Sequence, residues 1–172
     1  APGGKSTHLA ELINDDGEIW AVDRSPGRLQ RVAANASRLG LGSVSALAAD
    51  AADLQNDRPS WKASFQRILL DAPCSGLGTL ARHPDARWRI TPTSIDGMLS
   101  LQKNLLDGLL PLLAPRGRLV YATCTIHPAE NDLQIDQLLK RHPQLERLEQ
   151  HQRWPDDASG GDGFFAAVLQ RR

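Results

Sequence analysis

Two cysteines are the residues best suited to chemistry, and each stands just behind a short apolar run. Cys74 follows Ile68-Leu69-Leu70 by way of Asp71-Ala72-Pro73 and precedes Ser75-Gly76. Cys124 follows Leu119-Val120-Tyr121-Ala122 by way of Thr123. Short apolar runs closed by turn formers read as buried strands. Both thiols are therefore expected at carboxyl ends of strands, where open α/β sheets build their ligand crevice. Pro73 stiffens the exit, and Gly76 and Gly78 allow close backbone approach. If the two strands are neighbours, the thiols open into one crevice. There a thiol acidified by cations or helix N-termini acts as a nucleophile. A zinc site needs about four ligands, and neither cysteine has a Cys-x-x-Cys partner, so no metal is expected. Two inert structural cysteines remain the alternative.

Three acids share the same kind of position. Asp23, Asp50 and Asp71 each close an apolar run. One such acid is commonly a turn former, but three beside the glycine-rich turn Ala1-Pro2-Gly3-Gly4-Lys5 suggest a carboxylate-lined crevice. A carboxylate after the second strand of a nucleotide-binding α/β fold accepts ribose hydroxyls, which points to an adenosine-containing cofactor. Gly4-Lys5-Ser6 also resembles the end of a phosphate-binding loop, and Ile68-Leu69-Leu70-Asp71 the strand that accompanies it. A nucleotide-binding protein or nucleoside triphosphatase thus stays open, although it leaves both cysteines and Asp23 without a role.

The elements that must position these groups follow from periodicity. Helices are expected over residues 5–13, after the cap Ser25-Pro26 as far as Gly40, from Thr93 or Ser94 through residue 113, and after Pro128-Glu130. Strands are expected over 18–23, 44–49, 65–70, 118–122, near 145–148 and over 164–170. Residues 53–60 read as a polar stretch and 80–92 as an irregular one, with Arg82, His83, Arg87, Trp88 and Arg89 as basic and aromatic groups able to grip phosphates and stack on bases. Asn131 and His127 read as caps of the next helix, and Trp154 and Phe165 as packing residues. Strands alternating with helices make an α/β, mostly parallel sheet.

The whole chain excludes several classes. Twenty basic and twenty acidic side chains cancel, so polyanion binding must come from local patches. No apolar stretch approaches the roughly 20 residues that span a bilayer. Two widely spaced cysteines and no secretory signal favour reduced thiols in a cytoplasm. A single catalytic domain over residues 1–172 is expected, monomeric and without a membrane partner. The glycine turn has no strand before it, so the first strand is expected to be missing, together with an N-terminal region of a longer protein.

Taken together, Ala1-Pro2-Gly3-Gly4-Lys5, Asp71-Ala72-Pro73-Cys74-Ser75-Gly76, Arg82-His83-Pro84-Asp85, Tyr121-Ala122-Thr123-Cys124-Thr125, Glu130-Asn131 and Gly161-Asp162-Gly163-Phe164-Phe165 resemble the S-adenosylmethionine-dependent RNA cytosine-5 methyltransferases of the Sun family, in particular its bacterial 16S ribosomal RNA members. The resemblance runs the length of the chain. It implies a Rossmann-like methyltransferase fold with an antiparallel last strand and S-adenosylmethionine held by Ala1, Pro2, Gly3, Gly4, Lys5, Asp23, Asp50 and Asp71. It also implies Cys124 as nucleophile, Cys74 as the thiol that assists product release, and RNA, most simply 16S rRNA, as substrate. Asp71 is further assigned a contact to the target base. The family's Asp-x-Cys-Ala lead-in is absent, and Thr125 stands where many relatives have serine.

Overall fold

Residues 2–156 and 161–172 are described in the computed structural model. They divide into two units, Ala1–Asp57 and Arg58–Arg172.

In the first unit, helix α1 (Gly4–Leu12) follows Gly3, whose φ of 106° is the left-handed region that glycine tolerates. Strand β1 (Ile19–Asp23) pairs in parallel with β2 (Val44–Ala48). Between them runs helix α2 (Pro26–Arg38), opened by the Ser25 hydroxyl accepting from the Arg28 amide and by Pro26 at its first position. Its Leu29 and Val32 are buried against Ala21 of β1, with Val44 of β2 packed alongside. Residues 53–60, read only as a polar stretch, contain a short helix, α3 (Leu54–Asp57), and the start of a 3-10 turn at Pro59–Trp61. Buried Leu54 supplies the apolar anchor that the polar composition concealed.

The second unit is built on a four-stranded sheet ordered β3 (Phe65–Asp71), β4 (Leu113–Thr123), β6 (Phe164–Arg171), β5 (Leu145–Arg153). β3 and β4 are parallel, and the final strand β6 runs antiparallel to both its neighbours. The expected turn at Pro115-Arg116-Gly117 falls within β4, where Arg116 adopts φ 61° and the register against β3 shifts. β3 is less buried than its sequence suggests. Only Leu70 is fully enclosed and Leu69 is 38% exposed, because among the described residues β3 pairs with β4 alone.

Two helices complete this unit. Helix α4 (Pro92–Leu109) is capped by Thr91 and not by Thr93 or Ser94. The Thr91 hydroxyl accepts from the Ser94 amide while the Ser94 hydroxyl accepts from the Thr91 amide. It ends at Leu109, just before Pro111, and a 3-10 turn covers Leu110–Leu112. Helix α5 (Asp132–Arg141) buries Gln134, Ile135 and Leu138 and leaves Leu133 48% exposed, so its inward face carries a polar residue and one of its leucines lies outside it. Tyr121 and Phe165 meet edge to face at 6.3 Å, both buried. Trp154 is 62% exposed and so is not a packing residue. No helix among the described residues is long and apolar enough to cross a membrane.

Candidate active site

Parallel pairing of β3 with β4 sets Asp71 opposite Ala122. The two chains then leave the sheet side by side, with the Ala72 amide still donating to the Ala122 carbonyl at 2.8 Å. Cys74 and Cys124 follow on adjacent loops, and their sulfurs stand 3.5 Å apart, both half-buried. The loops are also joined further out. The Gly78 amide donates to the Cys124 carbonyl at 3.0 Å, and the Gly163 amide donates to the Gly78 carbonyl at 2.7 Å. A Cβ at Gly78 would lie 2.2 Å from the Gly163 carbonyl oxygen and 2.8 Å from that of Cys124. Glycine is therefore required there by close approach, not by backbone angle.

The thiol pair titrates as a unit. The Cys74 thiol is pushed well above the ordinary thiol range by its hydrogen bond with Cys124, by burial, and by the Coulombic cost of a second charge beside that sulfur. Ionising Cys74 beside Cys124 is thus disfavoured, and either sulfur can donate in the contact between them.

Behind the sulfurs lies a buried polar network. Glu130 is fully enclosed. Its Oε1 accepts from the Ser75 amide at 2.8 Å and from Gln102 Nε2 at 3.1 Å, and its Oε2 accepts from the Ser75 hydroxyl at 2.5 Å. Gln102 Nε2 also donates to the Pro73 carbonyl at 2.9 Å. Asn131, equally enclosed, accepts from the Thr123 hydroxyl at 2.7 Å and donates to the Thr125 carbonyl at 3.0 Å. The Tyr121 hydroxyl donates to the Glu130 carbonyl at 2.7 Å, and burial holds its pKa above the usual phenol range. Asn131 does stand at the N-cap of α5, although its side chain makes no capping bond there, and the His127 ring caps the 3-10 turn Pro128–Glu130 by accepting from the Ala129 amide at 3.3 Å. Sequence reasoning passed over Gln102 and Gln134. Their signal was a polar residue recurring on an otherwise apolar helix face, which requires a buried partner.

A cleft of about 210 Å³, open to solvent, adjoins Cys74 and is lined by Ser75, Ala86, Arg89, Ile90, Ser94 and Met98. The basic stretch borders it and is exposed: Trp88 is 81% accessible, with the Arg87 guanidinium 5.3 Å from its ring centre. Arg82 forms a forked ion pair with Asp162, and Arg89 pairs with Asp85 at 2.8 Å, while His83 is exposed.

The residues assigned to a cofactor lie in both units. In the first, Asp23 ends β1, and its Oδ1 accepts from the Ser25 amide at 2.8 Å and meets Arg28 at 3.0 Å. Both contacts fall on one oxygen, so the carboxylate keeps acceptor capacity for a pair of hydroxyls. Asp50 is more occupied, with Oδ1 accepting from the Ala52 amide and Oδ2 from Arg24. These bonds hold its pKa below the usual carboxylate value. Pro2 and Lys5 are exposed, Gly3 is buried, and a Cβ at Gly4 would meet nothing within 4 Å, which leaves the start of α1 open to a ligand. Ala1 lies outside the described residues. In the second unit Asp71, exposed, closes β3.

Comparison with known proteins gives a consistent result. The family described as 16S rRNA methyltransferase RsmB/F matches residues 1–170. The Synechocystis protein named "Probable ribosomal RNA small subunit methyltransferase B" is 49% identical over 145 residues, covering 83% of this chain and 31% of the relative. Ribosomal RNA small subunit methyltransferase B of Escherichia coli is 41% identical over 184 residues, covering 100% of this chain and 41% of the relative. The chain thus spans well under half the length of these curated relatives. Among solved structures, PH0851 superposes with a TM-score of 0.92 at 36% identity, covering 99% of this chain and 41% of that one. NSun6 from Pyrococcus horikoshii, solved with SFG, superposes with a TM-score of 0.84 at 29% identity, covering 99% and 46%.

Proposed function

The chain belongs to the RsmB/F family of 16S rRNA methyltransferases, and on that premise we propose that it is the catalytic domain of an enzyme that methylates C5 of a cytosine in RNA, with 16S rRNA as substrate, through a covalent bond from Cys124 to C6. The observation that carries this reading is the 3.5 Å contact between two strand-end thiols. The family match sets aside the triphosphatase alternative raised by Gly4-Lys5-Ser6.

S-adenosylmethionine, when bound, supplies a methyl group on a sulfonium open to attack by carbon. Its adenosine hydroxyls are assigned to Asp23, whose second carboxylate oxygen has room for them, and the remainder to Ala1, Pro2, Gly3, Gly4, Lys5, Asp50 and Asp71. The Cys124 thiolate adds to C6 of the ring, and the C5–C6 double-bond electrons make C5 nucleophilic toward that methyl carbon, whose bond to the sulfonium sulfur would break as the C5–methyl bond forms. Asp71 is assigned a hydrogen bond to the ring edge that receives this charge. Once Cys124 sulfur is a neutral thioether, two of the influences that kept the Cys74 thiol protonated disappear. Cys74 then loses its proton to solvent and, as thiolate, takes the C5 proton of the methylated ring. The C5–C6 double bond re-forms and the C6–sulfur bond breaks, returning the Cys124 thiolate. A base reaching such a site must leave its stack. Arg82, His83, Arg87, Trp88 and Arg89 are assigned to the RNA, with exposed Trp88 as a stacking surface. The domain is taken to act as a monomer in the cytoplasm.

The test uses full-length protein, labelled S-adenosylmethionine and unmodified 16S rRNA. Cys124→Ala should abolish methyl transfer, and Cys74→Ala should accumulate a denaturant-resistant protein–RNA adduct. Wild-type methylation by Cys124→Ala would overturn the reading.

A further inference from the structure

Each cysteine lies between two residues that a buried side chain holds in place. Pro73 is held through its carbonyl by Gln102, and Ser75 through both its amide and its hydroxyl by Glu130, so Cys74 is fixed from both sides. Thr123 and Thr125 are held by Asn131, one through its hydroxyl and the other through its carbonyl, so Cys124 is fixed from both sides as well. Of these three holders, Glu130 and Asn131 are consecutive in the chain. A direct bond between the Ser75 and Thr125 hydroxyls, 2.8 Å long, ties one loop to the other, and Gln134 supports Gln102 from α5 at 3.3 Å. Burying a carboxylate that meets only neutral donors in this network is costly. An apolar side chain would fill the same space without that cost, so Glu130 calls for a reason other than packing.

We propose that Glu130 and Asn131 are positioning residues that set the separation of the two thiols, Glu130 acting on the Cys74 loop through Ser75 and Asn131 on the Cys124 loop through Thr123 and Thr125. The inference rests on the reading of Cys74 and Cys124 as the reacting pair, but its central observable, the distance between two sulfurs, does not depend on catalysis. Glu130→Gln keeps the volume and replaces one carboxylate oxygen with an amide group that cannot accept from Ser75. Asn131→Asp keeps the acceptor for Thr123 and removes the donor to Thr125 and to Gln152, which Asn131 reaches at 3.1 Å. Neither residue touches the thiols in any hydrogen bond of the network, so each acts through the loops.

The experiment measures, in full-length protein below its melting temperature, how fast diamide closes a Cys74–Cys124 disulfide. The two thiols lose two electrons and two protons to the nitrogen–nitrogen double bond of the reagent, and mass spectrometry follows the loss of two hydrogens. Both variants should form the disulfide about tenfold more slowly than wild type, and should lose about tenfold in kcat with KM for RNA unchanged, since a displacement near 1 Å has effects of this size or larger. Ser75→Ala, which leaves both holders in place and removes only the hydroxyl links, should show a smaller loss in the same direction and serves if either buried variant fails to fold. Folded variants that oxidise at the wild-type rate overturn the proposal, whether or not kcat falls. If instead Cys124→Ala remains active, the nucleophile reading fails, while the disulfide rates still decide the positioning role.

Discussion

Replacing Cys124 with alanine should release Cys74 from the restraint that its neighbour imposes, and the size of the release can be worked from the 3.5 Å separation. Two unit charges at that distance interact by about 5 kcal/mol at an effective dielectric near 20, and by about 2 kcal/mol if solvent on the open side raises it to roughly 40. That range corresponds to between roughly thirtyfold and three-thousandfold in acidity. The hydrogen bond to Cys124, the largest influence raising the Cys74 pKa, is lost at the same time, whereas burial remains. Cys74 in the variant should therefore ionise far more readily than in the wild type, while staying above an exposed thiol. The assay is iodoacetamide alkylation across a pH series, with peptide mass spectrometry assigning the modified residue. In the wild type Cys124 should be modified first as pH rises and Cys74 only at strongly alkaline pH. In Cys124→Ala the Cys74 profile should move to lower pH by at least about 1.5 pH units. An unchanged Cys74 profile would refute the coupling and with it the account of why the second thiol becomes a base only after the first has reacted.

Two further outcomes follow from packing and charge. Gly78→Ala forces a Cβ to within 2.2 Å of the Gly163 carbonyl oxygen, so urea unfolding should show a loss of about 2–4 kcal/mol, and a wild-type midpoint would contradict the close approach. Burial pushes the Asp107 carboxyl up, but hydrogen bonds from Lys103, His142 and Arg141 outweigh it and hold the pKa below the ordinary value. The folded value lies below the unfolded one, so the stabilisation is fully present above about pH 4 and is lost as pH falls through the folded value. Asp107→Asn should cost about 1 kcal/mol at neutral pH and flatten the acid limb below about pH 4 in melting experiments, because Asp107 and its partners keep partial contact with solvent, which screens the pairs.

The amino-acid sequence alone determined the alternation of helices and strands, the caps at Ser25 and Pro26, the antiparallel last strand through its family likeness, and the two thiols at strand ends. These rest on local rules: apolar periodicity, turn residues and short motifs act over a few neighbours and survive without knowledge of the rest. Tertiary structure decided what distant segments do to each other. Thr91 caps α4 because its hydroxyl accepts from the Ser94 amide and the Ser94 hydroxyl from the Thr91 amide, a choice that propensity cannot make among Thr91, Thr93 and Ser94. Leu133 faces outward and Gln134 inward because the Gln102 amide and the Leu99 carbonyl are waiting for a polar partner. The same holds for the site. Cys74 and Cys124 were legible as reactive residues, but their 3.5 Å contact follows from parallel pairing of β3 and β4, and the Glu130-Asn131 pair became meaningful only once the two loops that it holds were seen side by side. A hydrogen bond between residues 55 positions apart leaves no trace in local sequence, because nothing in the intervening chain has to be periodic for it to form.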